Sequence, residues 1–404
     1  MTSKSTASAT SLLRPRDGSE DARRVSPVEL FFDLVFVFAI TQLSHALLHD
    51  LSMWGALRTL LLLMAVWWFW IYTCWITNWL DPEKIPVRLL LFAMMVVGLL
   101  MSTSIGKAFD TRGLVFALAY TALQIGRTVF FLVAARSEKP QFDNFVRILI
   151  WFALSGVFWI AGGFAEGSAR FTLWLIALAI EYVSPALAFW VPGLGRSSTA
   201  DWNVEGKHIA ERCGLFVIIA LGESILVTGA TFAGIEWTAA TLTGFLVSLL
   251  SSIAMWWIYF NVGAEAGEER ITEASDPGRL ARSAYTYQHL LIVAGIIVTA
   301  AGDEIVLAHP GGHSDASTIG ILIGGPALYL AGMTIFKATI AGRLPLSHLV
   351  GLVLLALVVP AARQLTPLQL CTAATAALII AAVWEIFGTP QRAGHHGEAT
   401  KEIA

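Results

Sequence analysis

Apolar and polar residues are segregated along this chain. Apolar stretches of roughly 20 residues follow one another, separated by short polar breaks. A stretch of that length reads as a membrane-crossing helix, because the hydrocarbon core of a bilayer takes about 20 apolar residues in helical form. Twelve such blocks are legible, over 28–48, 54–79, 86–106, 112–135, 144–164, 169–191, 207–232, 237–262, 282–308, 317–340, 344–363 and 367–388. The breaks carry turn chemistry at Asp81-Pro82, Lys139-Pro140, Pro192-Gly193, Asp276-Pro277, Pro310-Gly311-Gly312 and Thr366-Pro367. The expected fold is all-α, a polytopic membrane helix bundle of about twelve transmembrane helices. Residues 1–27 read as a disordered basic tail, and residues 389–404 as a second disordered tail.

Charge fixes the orientation. Of the 26 Lys and Arg residues, 20 fall on the side of the N-terminus, five on the other side, and Arg127 within a span. The positive-inside rule therefore places both termini in the cytoplasm. Composition agrees with a membrane protein: 56% of the 404 residues are hydrophobic and 14% charged, where soluble domains carry about 25% charge. A net charge of −3 argues against a nucleic-acid partner. Cys74, Cys213 and Cys371 are scattered in apolar runs and make neither a disulfide framework nor a metal site. The N-terminus lacks the apolar core of a cleavable signal. His395 and His396 in the C-terminal tail read as solvated.

The chain looks like a duplicated six-helix unit. Phe36-Val37-Phe38-Ala39-Ile40 aligns with Phe216-Val217-Ile218-Ile219-Ala220, so that Ser44 meets Ser224. Phe69-Trp70-Ile71-Tyr72 aligns with Trp256-Trp257-Ile258-Tyr259, Asp81-Pro82 with Asp276-Pro277, and Glu181 with Glu385. The expected halves are residues 28–191 and 207–388, joined by a linker over 192–206. An even number of spans per unit makes the copies parallel.

Ionisable residues inside these spans are the candidate chemistry, since a charged group in the bilayer is costly and is kept for a reason. In the first span Glu29 and Asp33 lie four apart on one face, with Gln42 and His45 further along. The bland reading pairs the two acids with basic residues at the cytoplasmic rim. In the seventh span His208, Glu211, Arg212 and Glu223 share about a third of the circumference. Glu223 lies deep, with no cation following it in the span, and reads as a group that exchanges a proton or binds a cation, or as a neutral interhelical donor. Tyr120, Gln124 and Arg127 share a narrow face of the fourth span. Arg127 needs an acid partner, with Asp33 and Glu223 as candidates. Tyr285, Gln288, His289, Thr299 and Asp303 are expected on one side of the ninth. His45, His208 and His289 could relay protons; no His pair at i,i+4 suggests a metal. Glu181 and Glu385 come late in each half and are expected to cap packing or line a rim. The Trp run from Trp67 to Trp79 reads as core and interfacial anchor.

Three segments resemble one family. The run Ser26-Pro27-Val28-Glu29-Leu30-Phe31-Phe32-Asp33-Leu34-Val35-Phe36-Val37-Phe38 resembles the opening signature of the bacterial low temperature requirement A (LtrA) family. So do His208-Ile209-Ala210-Glu211-Arg212 followed by Leu221-Gly222-Glu223-Ser224-Ile225, and Trp75-Ile76-Thr77-Asn78-Trp79-Leu80-Asp81-Pro82. The resemblance runs from about Arg24 to Gly388. It implies a bacterial inner-membrane protein associated with growth in the cold, and it implies no chemistry.

The first functional expectation is a transporter or channel for a small solute or ion, from pseudo-symmetric halves with acids facing inward. The alternatives are an intramembrane enzyme acting on an isoprenoid or other lipid, and a non-catalytic envelope component. Against an enzyme, the chain has no acid cluster of the DDxxD type, no GxSxG, no HExxH and no soluble catalytic domain. It has no Walker A sequence either, and no cofactor is expected. The expected partners are membrane lipids and a small solute, ion or lipid substrate.

Overall fold

The structure is a computed structural model and describes residues 11–14, 24–202 and 204–388. The tail from 389 onward, with His395 and His396, and residues 1–10 and 15–23 lie outside the described residues. The described chain is helical, with no strand beyond two isolated bridges.

The first half comprises α1 (Pro27–His49), α2 (Met53–Trp79), α3 (Ile85–Ser104), α4 (Gly113–Ala134), α5 (Lys139–Phe164) and α6 (Gly167–Val183). The second comprises α7 (Gly206–Ala233), α8 (Ala239–Tyr259), α9 (Pro277–Ala308), α10 (Ala316–Ala341), α11 (Leu346–Gln364) and α12 (Pro367–Gly388). Eleven of the twelve are long and apolar enough to cross a membrane. The other, α6, has 17 residues, at the lower limit for a spanning helix. It stops eight residues short of the expected end. Pro185 has no N–H to continue the helical ladder, and Ala188 and Phe189 then take positive φ, turning the chain back. A short helix, Glu265–Thr272, sits in the loop after α8.

Each α1 start signal is visible in the chain. Ser26 and Glu29 form a capping box and Pro27 occupies the first turn. In α2 every residue from Ala65 to Trp79 is buried, so this helix is apolar on all sides because it is surrounded. Several of its indoles find acceptors: Trp67 Nε1 donates to the Thr286 carbonyl at 2.7 Å and Trp79 Nε1 to the Trp202 carbonyl at 2.9 Å. Trp202, in the segment 192–206, lies against Trp75 and Phe189.

Helix α1 packs on α2 and α3, and α7 packs on α8 and α9 in the same relation. Helices α1 and α7 touch each other as well. Their cross-contacts keep one register: Glu29 with His208, Asp33 with Arg212 and Phe36 with Phe216. A constant offset of this kind requires two parallel helices side by side. α9 and α10 approach closely where Gly295 lies against Tyr329; a Cβ there would come within 2.4 Å of the Tyr329 backbone nitrogen.

Candidate functional site

The α1–α7 seam holds two polar layers with an aromatic layer between them. The first layer lies near the N-terminal ends of both helices. Glu29 is fully buried and saturated. Its Oε2 accepts from Ser26 N–H, Ser26 Oγ and Arg14 Nη2, each at 2.9 Å. Its Oε1 accepts from Arg212 Nη1 at 3.0 Å and faces His208 Nε2 at 2.9 Å. Arg212 also donates through Nη2 to Asp33 Oδ1 at 2.6 Å, where Trp70 Nε1 donates too at 2.9 Å. Asn78 closes the layer on His208 Nδ1 at 3.3 Å. Two carboxylates are thereby matched by two guanidiniums inside the protein, the condition under which buried charge is tolerated. Asp33 Oδ2 and Arg212 Nε have no hydrogen-bond partner among the described residues.

Arg14 comes from the segment expected to be disordered. Residues 11–14 lie along the end of α2: Arg14 N–H donates to the Trp79 carbonyl at 2.8 Å, and Asp81 N–H to the Leu12 carbonyl at 2.9 Å. Arg14 Nε also binds the Leu80 carbonyl at 3.0 Å. Glu211 holds the next described stretch by accepting Val25 N–H at 3.4 Å. It takes no part in the ion-pair layer itself.

Above this layer Phe36, Phe69, Trp67, Trp70 and Phe216 are all buried. Phe36 lies 5.3 Å from Phe69 and 5.9 Å from Phe216, and Trp70 4.2 Å from Phe216, centroid to centroid. This septum separates the ion pairs from the second polar layer.

The second layer contains Glu223, with the Thr41 hydroxyl and His45 as its polar neighbours across the seam. Glu223 is 2% exposed and its Oε1 has no hydrogen-bond partner. His45 is exposed. The carboxyl sits ten residues, about 15 Å, from the C-terminal end of α7. On the neighbouring face of α7, Ser224 Oγ donates to Asp303 Oδ2 of α9 at 3.0 Å and lies 3.0 Å from Ser252 Oγ of α8. Gln42 points elsewhere, toward Gly106 at the end of α3.

Arg127 makes neither expected ion pair. Asp33 is taken by Arg212, and Glu223 lies on the far side of the septum. Instead Arg127 Nη1 donates to the Phe69 carbonyl at 2.9 Å and Thr73 Oγ1 at 3.1 Å, and Nη2 donates to Gln124. Gln124 in turn donates to Tyr120 at 2.8 Å, and Tyr120 to Glu181. Ser155 and Trp159 complete the Glu181 carboxyl at 2.8 and 3.0 Å. Glu181 is thus interior rather than a cap or rim group. In the second half Lys337 of α10 donates to both oxygens of Glu385 at 2.7 and 2.8 Å and to the Ile258 carbonyl at 2.8 Å. Lys337 and His348, which lies 2.9 Å from Glu385 Oε1, were not anticipated as partners of that acid. A cavity of about 330 Å³ opens beside this pair, walled by Arg343, Ser347 and Trp384.

The three histidines do not form a relay. His208 belongs to the ion-pair layer and His45 to the second layer. His289 bonds Tyr259 Oη at 2.9 Å and the Ala284 carbonyl, stacked on Tyr285. A π-helical stretch over Ala281–Gln288 rotates Gln288 off the expected face, onto Thr339 at 2.8 Å.

The model of the family described as bacterial low temperature requirement A protein (LtrA) matches residues 24–383. The chain is 42% identical over 376 residues to an uncharacterized protein of Rhizobium meliloti (strain 1021), covering 92% of this chain and 91% of the relative. No solved structure matches. The matched region spans the seam from the capping box at Ser26 to Val383 in α12, and on that match the chain belongs to the bacterial low temperature requirement A family.

Proposed function

We propose that this protein is an ion-coupled transporter of a small solute or ion in the bacterial inner membrane, working by alternating access at the α1–α7 seam. The observation that carries the reading is the seam itself: a charge-matched layer at one end, an uncompensated carboxyl in the other half, and a closed aromatic septum between. A carboxyl near an imidazole, as at Glu223 and His45, is chemistry suited to taking up and releasing a proton. The Arg212 layer then acts as the inner gate, because Arg212 of α7 is paired with Glu29 and Asp33 only while α1 and α7 stay together. Both termini are assigned to the cytoplasm on charge distribution.

A duplicated ancestry for the two halves draws support from more than sequence. Arg127 and Lys337 are cations on the fourth helix of each half, and each donates to a carbonyl of the second, Phe69 and Ile258. Each leads to an acid on the sixth, Glu181 through Gln124 and Tyr120, Glu385 directly. Sites between parallel repeats are a common transporter arrangement. The lipid-enzyme reading finds less support. The aromatic cavity lined by Tyr72, Trp75, Trp79, Phe145 and Trp202 has a volume of about 30 Å³, which fits water rather than an isoprenoid chain.

The test is side-specific labelling of single cysteines in a background with Cys74, Cys213 and Cys371 replaced. Thr41→Cys should react with an impermeant thiol reagent from the outside, and Thr77→Cys from the inside, with neither reactive from both sides at once. Reaction of either position from both sides under one condition would instead indicate a continuous pore.

A further inference from the structure

Asp303 is 1% exposed, and among the described residues no lysine, arginine or histidine stands against it. What surrounds it is hydroxyl. Ser224 Oγ from α7 lies 3.0 Å from Asp303 Oδ2, and Ser252 Oγ from α8 lies 3.0 Å from Ser224 Oγ. Ser248, one turn from Ser252, lies beside both the Asp303 carboxylate and the Cys371 thiol of α12. Thr375, one turn from Cys371, approaches the same thiol. Ser248 and Thr375 are 1% and 4% exposed, and their hydroxyl oxygens have no hydrogen-bond partner among the described residues. Four helices thus bring one carboxylate and four hydroxyl oxygens together in the interior.

We propose that Asp303, Ser224, Ser248 and Ser252, with Thr375 at its edge, form a binding site for a sodium-sized monovalent cation. A buried carboxylate needs a neutralising partner, and this one has no cationic side chain against it among the described residues. A bound proton would occupy a single oxygen, where the helices gather four hydroxyl oxygens with the carboxylate. A hard cation uses all of them, because hydroxyl and carboxylate oxygens are its natural ligands. One negative charge balances one positive charge, so a divalent ion would remain under-neutralised. Hydroxyls also suit both states, donating to the carboxylate when the site is empty and turning their lone pairs to the ion when it is filled. The site names the coupling ion of the transport reading and rests on that reading for its role, while the binding itself is independent of it.

The experiment is thermal unfolding of the purified full chain in detergent, with sodium chloride titrated against potassium and choline chloride at constant ionic strength. A ligand that binds only the folded state raises the unfolding temperature and saturates. Sodium should raise it where potassium and choline do not, and Asp303→Asn should abolish that shift. Ser252→Ala and Ser248→Ala, which keep the fold's packing, should each raise the half-saturating sodium concentration by about tenfold for one lost oxygen ligand. Equal responses to all three salts, or a sodium shift that survives Asp303→Asn, would overturn the site. A sodium shift in a protein that moves no ion across liposomes would uphold the site and remove the transport reading instead.

Discussion

Removing Arg212 should do unequal damage to the two acids it holds. In Arg212→Met, Glu29 loses one of its donors and keeps Arg14, His208 and Ser26. Among the described residues Asp33 loses its only cation and keeps just the Trp70 N–H. Breaking a buried pair from one side costs about 3–5 kcal/mol, because the other charge is stranded, and here the stranded charge is Asp33. Arg212→Met combined with Asp33→Asn should therefore recover about 2 kcal/mol, within the roughly 0.5–3 kcal/mol range of contacting pairs. Arg212→Met with Glu29→Gln should recover much less. The three cysteines are all buried and unpaired, so a thiol-reactive dye reports unfolding directly as the temperature rises. If the Glu29→Gln combination rescues as well as the Asp33→Asn one, or neither rescues, the description of this layer is wrong.

Asp33→Asn alone should leave a protein that inserts and accumulates but loses transport; loss from the membrane, seen by immunoblot, would make Asp33 purely structural. Arg127→Met should gain nothing from Asp33→Asn or Glu223→Gln, and should be partly relieved by Glu181→Gln, measured in the same unfolding assay. Gly295→Val should disrupt the α9–α10 contact, where its Cβ meets the Tyr329 backbone, and cost at least about 1–3 kcal/mol as overpacking; an unchanged unfolding temperature would contradict the helix pairing. A cysteine placed at Ser8 should resist external labelling in intact cells, and one at Gly311, which is exposed, should accept it.

Much of the fold was open to reading because bilayer physics demands long apolar helices, and these stand out in any window. The end of α6 did not, since a lipid-like run continues past Val183 while the helix stops before Pro185 and the chain turns back at Ala188 and Phe189. Glu29, Asp33, His208 and Arg212 could be picked out as charges where charge is costly. Their mutual pairing could not, because the register between α1 and α7 is tertiary. The Ser26–Glu29 spacing of a capping box was a local signal for Glu29 as an anchor. Arg14 was hidden by a polar surrounding that looked like any tail. Arg127 misled for a definite reason: a guanidinium can be satisfied by carbonyls and a relayed acid, as it is at Phe69 and through Gln124, without a direct ion pair. Lys337 was counted with the loop charges, yet it lies inside α10 against Glu385.

Transport through the seam is the central claim, and flux in liposomes tests it most directly. Protein reconstituted with a pH-sensitive dye inside, under an imposed sodium or proton gradient and a panel of small solutes, should move protons or cations. Glu223→Gln should abolish that movement, and Glu223→Asp should retain part of it with a shifted pH dependence, because the carboxyl persists on a shorter arm beside His45. Identical traces from wild type and Glu223→Gln across the ions and solutes, with both proteins shown to be folded and inserted, would contradict it.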